Sequence, residues 1–162
     1  MPRSDHETRI TPSVLDRLLD FDPRSSSEGQ KSRSQTLHEL KASVGRDLEW
    51  LLNTRRLAFE LTDDLYEANR SVVAYGIPDL TTLSPDSALD QKALVKQIEN
   101  AIAIFEPRFL SAKVTLEAMG GTERSLRFRI DAQLDIDPAP EPVSFDMSLE
   151  AGSGGHFEVA AV

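Results

Sequence analysis

The chain has 162 residues, 40% of them hydrophobic, which is enough for one domain with a real core. Its formal charge of −9 argues against non-specific binding to nucleic acid or an anionic membrane, because phosphate contacts need clustered cations. With no cysteine it has neither a disulfide scaffold nor thiolate chemistry. No window approaches the ~18 apolar residues of a membrane span, and the start MPRSDHETRITPS lacks the apolar core of a signal peptide, so a soluble cytoplasmic protein without membrane insertion is expected.

Thr11-Pro12 predicts the start of a short helix, with a hydroxyl cap and proline at the first helical position. Val14, Leu15, Leu18 and Leu19 form its apolar stripe, and a helix of about two turns must dock on something to be stable. Residues 22–34 contain no apolar side chain and read as a flexible linker. The domain proper is therefore expected over 35–162, with residues 1–34 carrying a docking helix and its tether.

Thr36 and Glu39 have capping-box spacing at the start of a first long helix, whose stripe Leu37, Leu40, Val44, Leu48 and Leu51 runs to about Asn53. Gly45 inside it suggests close packing. Thr62-Asp63-Asp64 is expected to cap a short helix through Asn69, and Val72 to Tyr75 to be extended until Gly76 and Pro78. Ser84-Pro85-Asp86 repeats the capped start, and Leu94, Ile98, Ala101 or Ile102, and Phe105 mark the buried face of a second long helix.

Pro107 ends that helix at about Phe105, since the residue before a proline is pushed out of the helical region. Beyond Arg108 the period becomes two. Leu110, Ala112, Val114 and Leu116 alternate with polar residues up to a turn at Gly120-Gly121, and Leu126, Phe128, Ile130, Ala132 and Leu134 repeat the pattern. After a connection over 138–142, Val143, Phe145, Met147 and Leu149 form a third strand, and Phe157 opens a fourth beyond the turn at 152–155. The expected fold is α+β: two long helices packed on a four-stranded antiparallel meander, with a short N-terminal helix on a flexible linker.

Catalytic signatures are scarce. His6, His38 and His156 are scattered without the neighbours of a metal site, so neither metal nor cofactor is expected. The glycine-rich 152–155 joins two strands and lacks the lysine of a phosphate loop. Glu106 is the carboxylate that invites a mechanism, as the general acid of glycoside cleavage. That role needs a raised pKa and a second carboxylate across the scissile bond, yet Arg108 on the same face acts to lower the pKa, and Asp63, Asp64 and Asp79 are partners only by being acidic. Read as an extended pair at i and i+2, Glu106 and Arg108 either close the helix-strand junction or together face a partner. Asn53-Thr54-Arg55-Arg56 reads first as a charged helix terminus, and Tyr75-Gly76-Ile77-Pro78 as a loop with an aromatic anchor.

In order and spacing, Pro12-Ser13-Val14-Leu15-Asp16-Arg17-Leu18, Asp47-Leu48-Glu49-Trp50-Leu51-Leu52-Asn53-Thr54-Arg55, Tyr75-Gly76-Ile77-Pro78-Asp79-Leu80 and Phe105-Glu106-Pro107-Arg108 resemble the lysozyme-like baseplate wedge family of contractile phage tails. That family includes the TssE subunits of type VI secretion systems, which the leading segment before a polar linker resembles in particular. The resemblance implies a sheet similar to the handshake domain of sheath subunits. It also implies a structural, non-enzymatic baseplate wedge subunit near the inner membrane that binds the wedge subunits TssF and TssG and helps to start the contractile sheath. The family's hallmark corresponds here to Glu106, Pro107 and Arg108. With Val14, Leu15, Leu18, Asn53 and Arg55 they are the expected partner-binding residues. The alternative is a murein hydrolase using Glu106.

Overall fold

The computed structural model describes residues 12–19, 32–56, 61–62, 64–80, 84, 87–117, 125–150 and 156–161. Helices α1 (Val14–Leu18), α2 (Arg33–Asn53), α3 (Tyr66–Asn69) and α4 (Ala88–Phe105) precede strands β1 (Phe109–Glu117), β2 (Ser125–Leu134), β3 (Glu141–Glu150) and β4 (Phe157–Ala161). The strands form one antiparallel sheet in chain order, the meander that the period of two predicts. It is an α+β fold. The expected turns at Gly120-Gly121 and 152–155, the tether over 20–31, and His6 lie outside the described residues.

One face of the sheet is apolar because alternate residues point to the same side. Phe128, Ile130, Leu134, Phe145, Met147 and Phe157 are at most 2% exposed. Helix α2 lies along β4 and α4 along β1. Leu40, Val44, Leu48, Leu51 and Leu52 from α2 meet Leu94, Ile98, Ala101 and Ile102 from α4 over that face. Burying each phenylalanine or leucine of this set stabilises the fold by about 1.5–3 kcal/mol. A Cβ at Gly45 would sit 3.5 Å from the Phe145 ring, an ordinary van der Waals contact, so the packing expected around Gly45 does not require a glycine. The opposite face carries a charged ladder: Arg129 bonds Asp146 at 3.0 Å and Glu117 at 3.2 Å, and the Ser144 hydroxyl donates to Asp131 at 2.7 Å.

Several local expectations are corrected. Helix α2 starts at Arg33, earlier than Thr36, because Ser32 caps Gln35 and the Gln35 side chain answers Ser32, so a capping box lies four residues upstream of the Thr36-Glu39 pair. Arg33 and Ser34 therefore belong to the helix and not to the tether. Ser13 caps α1 in place of Thr11, and Ser87 caps α4, three residues past Ser84. Helix α3 ends at Asn69 as expected, but Leu65 precedes it without a side-chain cap. Val72–Ala74 is a 3-10 turn and not an extended segment: Ser71 caps Val73, and local bonds from Ala74 and Tyr75 serve a backbone with no neighbouring strand. The register slips between Phe109 and Ser111, so Phe109 turns to the core beside Phe145 while Leu110 is 55% exposed. Pro142 lies within β3, beyond the stretch that β4 covers, where a missing donor leaves no ladder gap.

Candidate functional site

The site begins where α4 stops. Glu106 is the C-cap of the helix, its N–H bonded to the Ile102 carbonyl at 2.9 Å. Pro107 and Arg108 form a turn closed by Phe109 N–H to Glu106 C=O at 3.2 Å. The pairing expected of an extended i, i+2 segment is thus made by a turn. Arg108 Nε donates to Glu106 Oε1 at 2.6 Å and Nη2 to Oε2 at 2.5 Å, a two-pronged pair, while the Arg108 backbone N–H adds a third bond at 3.2 Å. Glu106 is 4% exposed; Pro107 faces solvent.

The same guanidinium reaches α2, donating to Asp47 Oδ2 at 2.7 Å and to the Ser43 hydroxyl at 3.2 Å. Asp47 Oδ1 accepts from Arg46 at 2.8 and 3.1 Å, and Arg46 Nη2 also bonds Asp16 of α1 at 2.8 Å. Asp16 in turn accepts the Ser13 hydroxyl at 2.6 Å. The result is a row of alternating charges, Glu106, Arg108, Asp47, Arg46 and Asp16, that ties the elbow after α4 to the N-terminal helix. Burial pulls the Arg108 guanidinium's pKa down, but its bonds to Glu106 and Asp47 outweigh this and hold it above the ordinary value. Burial pushes Asp16 up, yet Ser13, Arg46 and Ser43 together keep it below the usual carboxylate range.

Two further sequence motifs converge here. The Tyr75 ring meets the Phe105 ring edge-on at 5.2 Å, and its hydroxyl's pKa is raised by burial and by the charges of Asp47 and Glu106. Gly76 has φ +100°, and a Cβ there would lie 2.3 Å from the Thr54 carbonyl. That close approach lets Ile77 exchange backbone bonds with Thr54 and Arg56, both at 3.0 Å, and bury its side chain completely.

The remaining expected residues divide into two places. Val14 (73% exposed) and Leu18 (76%) are bare on α1, Leu15 is less so, and the helix buries none of its residues. Asn53 ends α2 and seals β4: its amide donates to the Phe157 carbonyl and accepts the Phe157 N–H, both at 2.8 Å. Arg55 is half-buried and returns a bond to the Leu52 carbonyl at 3.0 Å. On the other margin of the sheet, the Val114 N–H is taken by Glu99 of α4 at 3.0 Å.

Sequence reasoning missed Ser43, Arg46 and Asp47 as members of the site. The available signal was their i, i+3, i+4 spacing, which places three polar residues on one helical face between Leu40, Val44 and Leu48. Asp47 is the carboxylate beside Glu106 that could not be picked out in advance; both bond one nitrogen of Arg108, which fills the space between them. Among the described residues no group of side chains has the makings of a metal site, and no helix is long and apolar enough to cross a membrane.

Comparison with curated proteins found no match. The family model described as Baseplate wedge protein gp25 matches residues 38–139, a span that takes in α2 from its second turn, the Tyr75-Gly76-Ile77 anchor, α4, the Glu106-Pro107-Arg108 elbow and the first two strands. The residues that converge on the elbow fall within that span, apart from α1, and the chain belongs to the baseplate wedge protein gp25 family, the structural components of contractile tail-like baseplates.

Proposed function

We propose that this chain is the TssE subunit of a type VI secretion system baseplate, a structural wedge component that binds TssF and TssG and helps to start the contractile sheath from the cytoplasmic side of the inner membrane. The observation that carries this reading is the elbow. Arg108 is held by Asp47 and Ser43 of α2 as well as by Glu106, Pro107 between the pair is presented to solvent, and the same row of charges leads to a helix with a bare apolar stripe. A fixed polar corner next to unburied Val14, Leu15 and Leu18 suits docking of a neighbouring subunit better than chemistry. Asn53 and Arg55 support the second contact surface by fixing β4 and the Ile77 anchor to the end of α2. Phe157 directs its N–H and C=O away from β3 to Asn53, so Val159 and Ala161 direct theirs to the same open side, where a sheath strand can add.

The hydrolase alternative fits the elbow poorly. A general acid must reach the scissile oxygen, whereas Glu106 is buried and its carboxylate is occupied by Arg108. Co-expression with TssF, TssG and sheath subunits, followed by co-purification, tests the proposal. Loss of wedge partners from a folded Val14→Ser/Leu18→Ser variant supports it, and unchanged recovery of every partner from that variant and from folded Arg108→Gln protein overturns it. Clearing of a peptidoglycan suspension by wild-type protein, abolished by Glu106→Gln, would instead establish the hydrolase.

A further inference from the structure

Helix α1 has an unusual attachment. Among the described residues it has no fully buried side chain, and Val14 and Leu18 are about three-quarters exposed, so apolar contact contributes little to its attachment. What the structure gives it is polar: Arg46 and Ser13 both hydrogen-bond the Asp16 carboxylate. Arg46 is shared, because it also serves Asp47. Asp47 is shared in turn with Arg108, and Arg108 with Glu106. Ser43 adds a second bond between α2 and the elbow, accepting from Arg108 at 3.2 Å.

We propose that α1 is an electrostatic latch whose closure is set by the Glu106–Arg108 elbow, so that a partner engaging the Arg108 guanidinium loosens α1 and frees its apolar stripe. The latch is a property of the isolated chain and stands whether or not the wedge reading does. The direction follows from alternation of charge. If Arg108 is withdrawn, both oxygens of Asp47 are free for Arg46, which is drawn towards Asp47 and away from Asp16, and α1 opens. If Glu106 is neutralised, Arg108 pulls harder on Asp47, Arg46 turns towards Asp16, and α1 closes. By thermodynamic linkage, holding α1 shut must in turn disfavour anything that takes Arg108 away from Asp47.

The chain supplies its own reporter. Trp50 is its single tryptophan, it is 51% exposed, and the Arg46 guanidinium lies 5.1 Å from its ring centroid. There is no cysteine, so Leu18→Cys carries a nitroxide quencher at one defined place. Quenching of Trp50 by that label reads the closed latch in the full-length protein. Salt should release it, since ion pairs that keep some contact with solvent, as Arg46 and Asp16 do, are screened while an apolar attachment is not weakened. Quenching that persists unchanged to 1 M NaCl overturns the electrostatic latch.

The coupling is tested in the same labelled chain. Arg108→Gln is expected to raise the open-to-closed ratio roughly threefold and Glu106→Gln to lower it by a similar factor, as befits coupling within one network. In an Asp47→Asn/Ser43→Ala background both effects should vanish. Shifts of the same sign in the two variants, or shifts that survive in that background, would show general loosening and refute the proposal. Should Glu106→Gln fail to fold, Arg108→Lys replaces it: the charge remains but the fork is lost, and opening must fall between wild type and Arg108→Gln for the latch to stand.

Discussion

Replacing Asn53 tests how β4 is held. Its side chain makes two hydrogen bonds to the Phe157 backbone, each 2.8 Å long, and thereby stands in for a neighbouring strand at one rung. Each bond is worth a net ~1 kcal/mol, so Asn53→Ala forfeits about 2 kcal/mol. Alanine is the better helix former by roughly 0.5 kcal/mol at this last position of α2, which leaves a loss of about 1.5 kcal/mol. For a domain of this size that corresponds to a fall in melting temperature of roughly 3–6 °C. Asn53→Asp separates the two bonds. The carboxylate still accepts the Phe157 N–H but faces the Phe157 carbonyl without a proton to donate, so at neutral pH it should be no more stable than the alanine variant. Urea unfolding gives the energies, and amide hydrogen exchange at Phe157 reports the seal directly. An alanine variant that melts within ~1 °C of wild type, with Phe157 exchanging at the wild-type rate, would show that the seal contributes nothing and that β3 alone holds the strand.

Glu106→Ala and Arg108→Ala should each cost about 3 kcal/mol in urea unfolding, because each strands a half-buried or buried partner, and the double variant should cost clearly less than the sum; strict additivity would mean the two do not act as a unit. Deleting residues 1–31 should shift the melting temperature by no more than ~3 °C, since α1 has no fully buried residue, yet weaken recovery of wedge partners, and a larger fall would place α1 in the core. Val159→Pro removes an N–H that faces away from β3, so the protein should stay folded with β4 paired while sheath growth from baseplates carrying it is impaired; normal growth would rule out this edge. Gly76→Ala should be among the most damaging single changes, at ~3 kcal/mol or more, because the new Cβ meets the Thr54 carbonyl at 2.3 Å and pries Ile77 from its buried site; circular dichroism melting checks this, and a wild-type melting curve would contradict it.

The long elements were legible because burial imposes a period. Leu40, Val44, Leu48 and Leu51 on α2, and Phe128, Ile130 and Leu134 on β2, report the buried face of their own element, and Pro107 marks the junction. Helix starts were legible in kind but not in position, since serine and threonine are plentiful and the hydrogen bond chooses among them: Ser32, not Thr36, and Ser87, not Ser84. The slip at Leu110 could not be foreseen, because one inserted residue leaves the sequence alternation intact on either side. Of the elbow, Glu106 and Arg108 were visible as a pair, whereas Asp47 lies 61 residues from Arg108 and its role depends on how α2 is placed against the end of α4. Asn53 drew notice as part of a helix terminus; that it would mimic a strand for Phe157, 104 residues away, is a tertiary fact.

Glu99 bears on the shape of anything built from this sheet. By occupying the Val114 N–H it blocks the middle of the β1 margin, while the β4 margin is occupied at Phe157 and open further along. Both margins thus carry a side chain standing where a strand would pair, at different places along their length. A strand adding along β1 must first displace Glu99 from the Val114 N–H, at a cost of about 1 kcal/mol or more. The two margins of the sheet therefore differ in what an added strand has to displace: a carboxylate at the centre of one, an amide at the end of the other.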